Sequence, residues 1–148
     1  MNVNKEQFNF LKKLNAEIKS GNLVRMQNAF EELKNFNSDD SGILMYSKYL
    51  KGKFFYLSAK INSSLENYAK AHLCFKKVFD IARNNRKFVR NPKYHFKYAE
   101  SAFRLSDAVW CNHQRNDYES LAFSIAANAI MLYPNNDSIK WLMSELTK

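Results

Sequence analysis

Residues 83–97 bring together side chains that suit contact with an anionic partner. The stretch RNNRKFVRNPKYHFK holds six Lys or Arg residues and no Asp or Glu. Its rings at Phe88, Tyr94 and Phe96 would stack on nucleic-acid bases, while its cations would neutralise phosphates or carboxylates. A nucleic acid and an acidic protein both fit this pattern, as does a solvated corner between two helices. The candidate partner-binding cations are Arg83, Arg86, Lys87, Arg90, Lys93 and Lys97.

Arg90 and His95 form a candidate catalytic pair within this stretch. The residues RNPKYH, which run from Arg90 to His95, resemble the motif of HEPN-family ribonucleases, where an arginine precedes a histidine by a few residues. The resemblance implies a metal-independent RNase. The histidine would assist proton transfer at the 2′-hydroxyl, and the arginine would stabilise charge on the phosphate. The competing interpretation makes Arg90 a solvated loop cation and His95 a surface residue in a first helical turn.

Other side chains that could bind a metal or attack a substrate occur in unsuitable arrangements. His72 and Cys74, like Cys111 and His113, are two positions apart in apparently helical segments. Such side chains point about 200° away from each other, so neither pair closes on one ion. His72 is instead expected in the core. The chain has no glycine-rich phosphate loop and no Gly-x-Ser-x-Gly elbow, and we expect no metal and no cofactor.

The composition favours a helical, globular chain with a basic surface. Of the 148 residues, 46% are hydrophobic, and Gly and Pro number only three and two, which is too few for a domain of many short strands. The net charge of +9 points to an anionic partner. Cys74 and Cys111 lie far apart and are expected to be reduced thiols of a cytoplasmic protein. A bias towards Asn, Lys, Phe and Tyr suits the A+T-rich genome of a bacterium or phage.

Hydrophobic periodicity predicts an all-α domain of about seven helices over residues 1–148. The expected helices cover residues 5–20, 23–36, 41–61, 64–83, 92–112, 117–133 and 137–147. Asp39 or Asp40 would cap the third, and Pro92 suits the first turn of the fifth. Short polar turns join most of them, which predicts antiparallel helix pairs over about 5–36, 41–83 and 92–133, with a final capping helix.

A repeat emerges when the second helices of the three pairs are aligned. ENYAKAHLCFKKVFDIARNN and NDYESLAFSIAANAIMLYPNN share a polar turn, small or apolar residues at steps of three and four, and an Asn-rich exit. This order, carried by Tyr68, Ala71, Phe75 and Val78, resembles the second helix of a tetratricopeptide repeat. The resemblance implies a short superhelix of stacked helix pairs, in which the first helix of each pair lines a groove.

The predicted function is partner binding. The tetratricopeptide-like resemblance implies a small cytoplasmic adaptor, chaperone, regulator or inhibitor that holds a protein or peptide in its groove. Lys48, Asn62 and Asn112 are plausible groove residues, and the net positive charge favours an acidic client. The alternative is a HEPN-like RNase, or a non-catalytic RNA-binding protein, that uses Arg90, His95 and the basic stretch.

Overall fold

The structure is a computed structural model that describes residues 2–83 and 91–148. Over these ranges it is all-α, without a strand, which confirms the predicted fold class. None of the described helices combines the length and hydropathy needed to cross a membrane. The described residues form seven helices: α1 (Val3–Lys19), α2 (Leu23–Lys34), α3 (Ser41–Asn62), α4 (Leu65–Arg83), α5 (Pro92–Ala108), α6 (Asn112–Leu132) and α7 (Asp137–Leu146).

Side-chain caps fix where most of these helices begin. At each capped start, an oxygen of a polar side chain accepts a hydrogen bond from a backbone N–H of the first turn, which has no partner within the helix. Asp40, one of the two candidates that the sequence offered, is the cap of α3, and Pro92 is the first residue of α5. The capping residues are Asn2, Asn22, Asp40, Ser64, Asn91 and Asn136.

The chain divides into two compact units, Met1–Cys74 and Phe75–Lys148. In the first, α1 packs on α2 and α3, and a bidentate ion pair between Arg25 and Glu17 spans the α1–α2 turn at 2.6 Å and 2.9 Å. Across the turn between α3 and α4, the Tyr56 ring of α3 meets the Tyr68 ring of α4 edge-on, with 5.8 Å between the ring centroids. The core is built by apolar residues at helical spacing, among them Leu11, Ile18, Met26, Leu33 and Leu50.

The second unit is organised around α5 and α6, which share the most extensive contact among the described helix pairs. Both helices bury small residues at steps of three and four: Ala99, Ala102 and Ser106 on α5, and Ala122, Ala126 and Ala129 on α6. Small side chains let two helix backbones approach closely. Helix α7 packs on α6 through its own apolar stripe, in which Ile139 and Leu142 are buried.

The break between α5 and α6 lies earlier than the sequence predicted. We expected α5 to continue to Asn112 and α6 to begin at 117, whereas α5 ends at Ala108, Val109 is extended, and α6 begins at Asn112. The Arg115 guanidinium explains the stop, because its Nε donates to the Ser106 carbonyl at 3.2 Å and its Nη2 to the Val109 carbonyl at 3.3 Å. It thereby satisfies carbonyls that the end of α5 leaves without helical partners.

Replacing Arg115 with methionine should destabilise the fold, because these carbonyls lose a charged donor while the apolar stem is kept. We expect a loss of about 1 kcal/mol in the free energy of unfolding, measured by urea denaturation. The matched control is Lys140→Met on α7, an exposed position that should stay within about 0.5 kcal/mol of the wild type. Equal effects of the two substitutions would contradict the capping role of Arg115.

Candidate functional site

An open groove of about 550 Å³ lies within the second unit, between the last turns of α4, the first turns of α5, and α6. Its α4 wall is a single helix face, since Lys76, Phe79, Asp80 and Arg83 are spaced by three, one and three residues. His95 and Tyr98 contribute the α5 wall in the same way. The groove is therefore lined by Arg83, a predicted partner-binding cation, and by His95, a candidate catalytic residue of the alternative interpretation.

Aromatic rings form the floor of this groove around His95. The imidazole meets the Phe79 ring edge-on at 5.2 Å and the Tyr133 ring at 5.5 Å, and Tyr98 lies 5.0 Å from Phe79. His95 is only 8% exposed, so its competing interpretation as a surface residue is wrong. His95 is buried because it lies one helical turn before Tyr98, on the face of α5 that packs against the rest of the unit.

The charges that line this groove favour an anion. Lys76 and Arg83 contribute two positive charges against the single carboxylate of Asp80. Burial raises the pKa of the Tyr98 phenol above its ordinary value. The negative charge of Asp80 raises that pKa further, and the positive charge of Arg83 lowers it. The pKa of Tyr98 therefore depends on the charges of Asp80 and Arg83 on α4. Arg83 also lies over the Phe79 ring, 5.9 Å from its centroid, so its guanidinium is held next to the aromatic floor.

The other cations of the basic stretch lie in different surroundings. Lys93 is exposed in the first turn of α5. Lys97 is mostly buried and its Nζ lies 3.1 Å from Oε1 of Glu100, so its charge is paired within α5. Arg86, Lys87, Arg90 and the ring of Phe88 lie outside the described residues. The convergence of Arg90 and His95 therefore stays a prediction.

Of the predicted groove residues, Lys48 and Asn62 belong to the first unit and Asn112 to the second. Lys48 is half-buried on α3, and Asn112 is exposed at the start of α6. Asn62, the last residue of α3, lines a second open groove, of about 560 Å³, within the first unit. The sequence had marked Asn62 but had not indicated that Asn28 and Asn67 line the same groove, because these residues come from three different helices.

The histidines and cysteines that were considered as metal ligands are scattered. His72 is buried, as expected for a core residue, and Cys111 is exposed beside the start of α6. His113 lies 3.5 Å from Asp117 on the surface of that helix. Within residues 2–83 and 91–148, no three His, Cys, Asp or Glu side chains are grouped so that they could hold an ion.

The electrostatic contacts of the groove predict opposite pKa changes at Tyr98. Asp80→Asn removes a negative charge and should lower the pKa of Tyr98, whereas Arg83→Gln removes a positive charge and should raise it. The measurement is an NMR titration of isotope-labelled tyrosine rings at alkaline pH. Asp107→Asn, exposed near the other end of α5, is the control and should leave the Tyr98 pKa unchanged. Shifts of the same sign in the Asp80 and Arg83 variants would refute this arrangement.

The chain was also compared with known proteins. No protein-family model, no curated protein and no solved structure matches it. The tetratricopeptide-like and HEPN-like resemblances therefore stay predictions from the sequence motifs.

Proposed function

We propose that the protein is a non-catalytic helical binding protein that docks an acidic protein or peptide in the groove of the second unit. The observation that carries this proposal is the composition of the groove, in which Lys76 and Arg83 flank an aromatic floor. Cations beside rings suit a partner that offers carboxylates next to apolar or aromatic side chains. The groove of about 550 Å³ is large enough for a few side chains of such a partner.

The sequence around the groove supports an acidic partner. Arg83 is followed within seven residues by Arg86, Lys87 and Arg90, and no acid occurs before Lys97. Clustered positive charge steers an acidic protein towards the site and increases the association rate, an effect that salt weakens. This proposal places the protein with adaptors, chaperones, regulators and inhibitors built from stacked, tetratricopeptide-like helix pairs.

A cytoplasmic location belongs to the same proposal. Neither Cys74 nor Cys111 forms a disulfide, and Cys111 is exposed to solvent. An exposed thiol is best kept reduced in a compartment that contains glutathione or thioredoxin. The exposed thiol of Cys111 therefore supports the cytoplasm as the site of binding.

Charge reversal within the groove should weaken the binding of an acidic probe. The probe is a fluorescent peptide of alternating Glu and Phe residues, and its binding is followed by anisotropy. Lys76→Glu combined with Arg83→Glu should weaken binding at least about tenfold, because it replaces two charge-assisted contacts by repulsion. The same peptide with Gln in place of Glu should bind the wild type at least about tenfold more weakly.

The matched control separates the groove from the overall charge of the protein. Lys5→Glu combined with Lys13→Glu makes the same change in net charge on exposed positions of α1 and should reduce affinity by less than about threefold. Equal losses in the two double variants would refute a specific groove. Tighter binding of a single-stranded RNA than of the peptide, lost in Lys76→Glu/Arg83→Glu, would make nucleic acid the partner instead.

RNA cleavage is the second candidate function, and the observation that favours it is that His95 lines the groove together with Arg83. A catalytic histidine must reach the 2′-hydroxyl. His95 is held between the Phe79 and Tyr133 rings and is mostly buried, which fits a structural role better.

The binding proposal therefore predicts that the wild-type protein does not cleave RNA. The assay follows a fluorescent single-stranded RNA in the presence of a metal chelator. Cleavage that is lost in both His95→Gln and Arg90→Gln, while thermal unfolding shows that both variants are folded, would overturn the binding proposal. Such a result would establish the ribonuclease.

A further inference from the structure

The groove of the first unit has a chemistry different from that of the second. Its floor is a cluster of three phenylalanine rings: Phe30 stacks on Phe54 at 4.4 Å and meets Phe55 edge-on at 5.1 Å. Two aliphatic side chains at the start of α2 extend this floor, and both are exposed, Leu23 by 47% and Val24 by 70%. Apolar side chains this exposed beside an aromatic floor form a surface on which a partner's apolar side chain loses contact with water.

Amide side chains surround this apolar floor. Asn28 comes from α2, Asn62 from the end of α3 and Asn67 from the first turn of α4. Each amide both donates and accepts hydrogen bonds, which matches the alternating N–H and C=O groups of a peptide backbone. Among the described residues, none of these three side-chain amides forms a hydrogen bond within the protein, so all three are available to a ligand.

The lining of this groove is uncharged, as far as the described residues show. Two lysines lie over its rings, Lys34 over Phe30 and Lys70 over Phe55, and each is paired with a glutamate: Lys34 with Glu31 at 3.4 Å, and Lys70 with Glu66 at 3.2 Å. A charged ligand would lose its hydration here without gaining an opposite charge. Electrostatic complementarity therefore favours a neutral occupant, in contrast to the cationic groove of the second unit.

We propose that the groove of the first unit binds an extended, uncharged peptide segment of another protein. Its apolar side chains pack on the floor formed by Phe30, Phe55 and Val24. Asn28, Asn62 and Asn67 hold its backbone through their amides. This site is a second binding site, distinct in ligand chemistry from the acidic-partner site, and it does not depend on that proposed function.

The test selects peptides from a random display library for binding to the Lys76→Glu/Arg83→Glu variant. In this variant the groove of the second unit no longer favours an acidic partner. Enriched peptides should be apolar and lack Asp, Glu, Lys and Arg in the bound segment. Asn28→Ala combined with Asn62→Ala should weaken a selected peptide about tenfold, the effect of losing about two hydrogen bonds. Val24→Asp should weaken it at least about tenfold, because a charge is placed on the apolar floor.

The control is Val3→Asp, an aliphatic position on α1 that is 61% exposed and does not line the groove; it should leave affinity within about twofold. Enrichment of charged peptides, failure to enrich any peptide, or equal affinity of the Val24 and Val3 variants would overturn the proposal. So would concentration-dependent dimerisation that Val24→Asp abolishes, because the occupant would then be a second copy of the chain. Failure of the acidic-peptide experiment would leave this result unaffected.

Discussion

The close packing of α5 against α6 is the constraint on which the groove of the second unit depends. Small buried side chains allow the two helices to approach closely: Ala99, Ala102 and Ser106 on α5, and Ala122, Ala126 and Ala129 on α6. His95 and Tyr98 instead meet Phe79 on α4, where they form the groove floor. The contact between His95 and Tyr133 follows from the antiparallel pairing, which brings the start of α5 to the end of α6.

The two grooves differ in the charge of their lining residues. They have nearly equal volumes, about 560 and 550 Å³, so size does not distinguish them. Lys76 and Arg83 give one a positive lining, while Asn28, Asn62 and Asn67 give the other amides without charge. A negatively charged partner gains Coulomb energy in the groove of the second unit and only loses hydration in the groove of the first unit. The ligands that we propose for the two grooves, an acidic segment and a neutral one, follow from this difference in charge.

The sequence predicted the features that depend on local chemistry. Asp40 as a candidate cap, Pro92 at a helix start and His72 as a core residue all follow from helical spacing and from the needs of helix ends. The break at Val109 was missed because it depends on Arg115, which reaches back from the next helix. The three-asparagine groove was missed for a similar reason, since only tertiary packing brings those residues together.

The central claim is that the groove around Arg83 and His95, and not the overall basic charge, is where an acidic partner docks. An NMR titration of the labelled protein with the Glu–Phe peptide tests it most directly, because backbone amide shifts report the bound surface residue by residue. The account predicts that the largest changes fall in residues 76–83, 95–98 and 121–128 and saturate together. Largest changes at Lys5, Lys12 and Lys13 of α1, or weak changes spread over all exposed lysines, would contradict it.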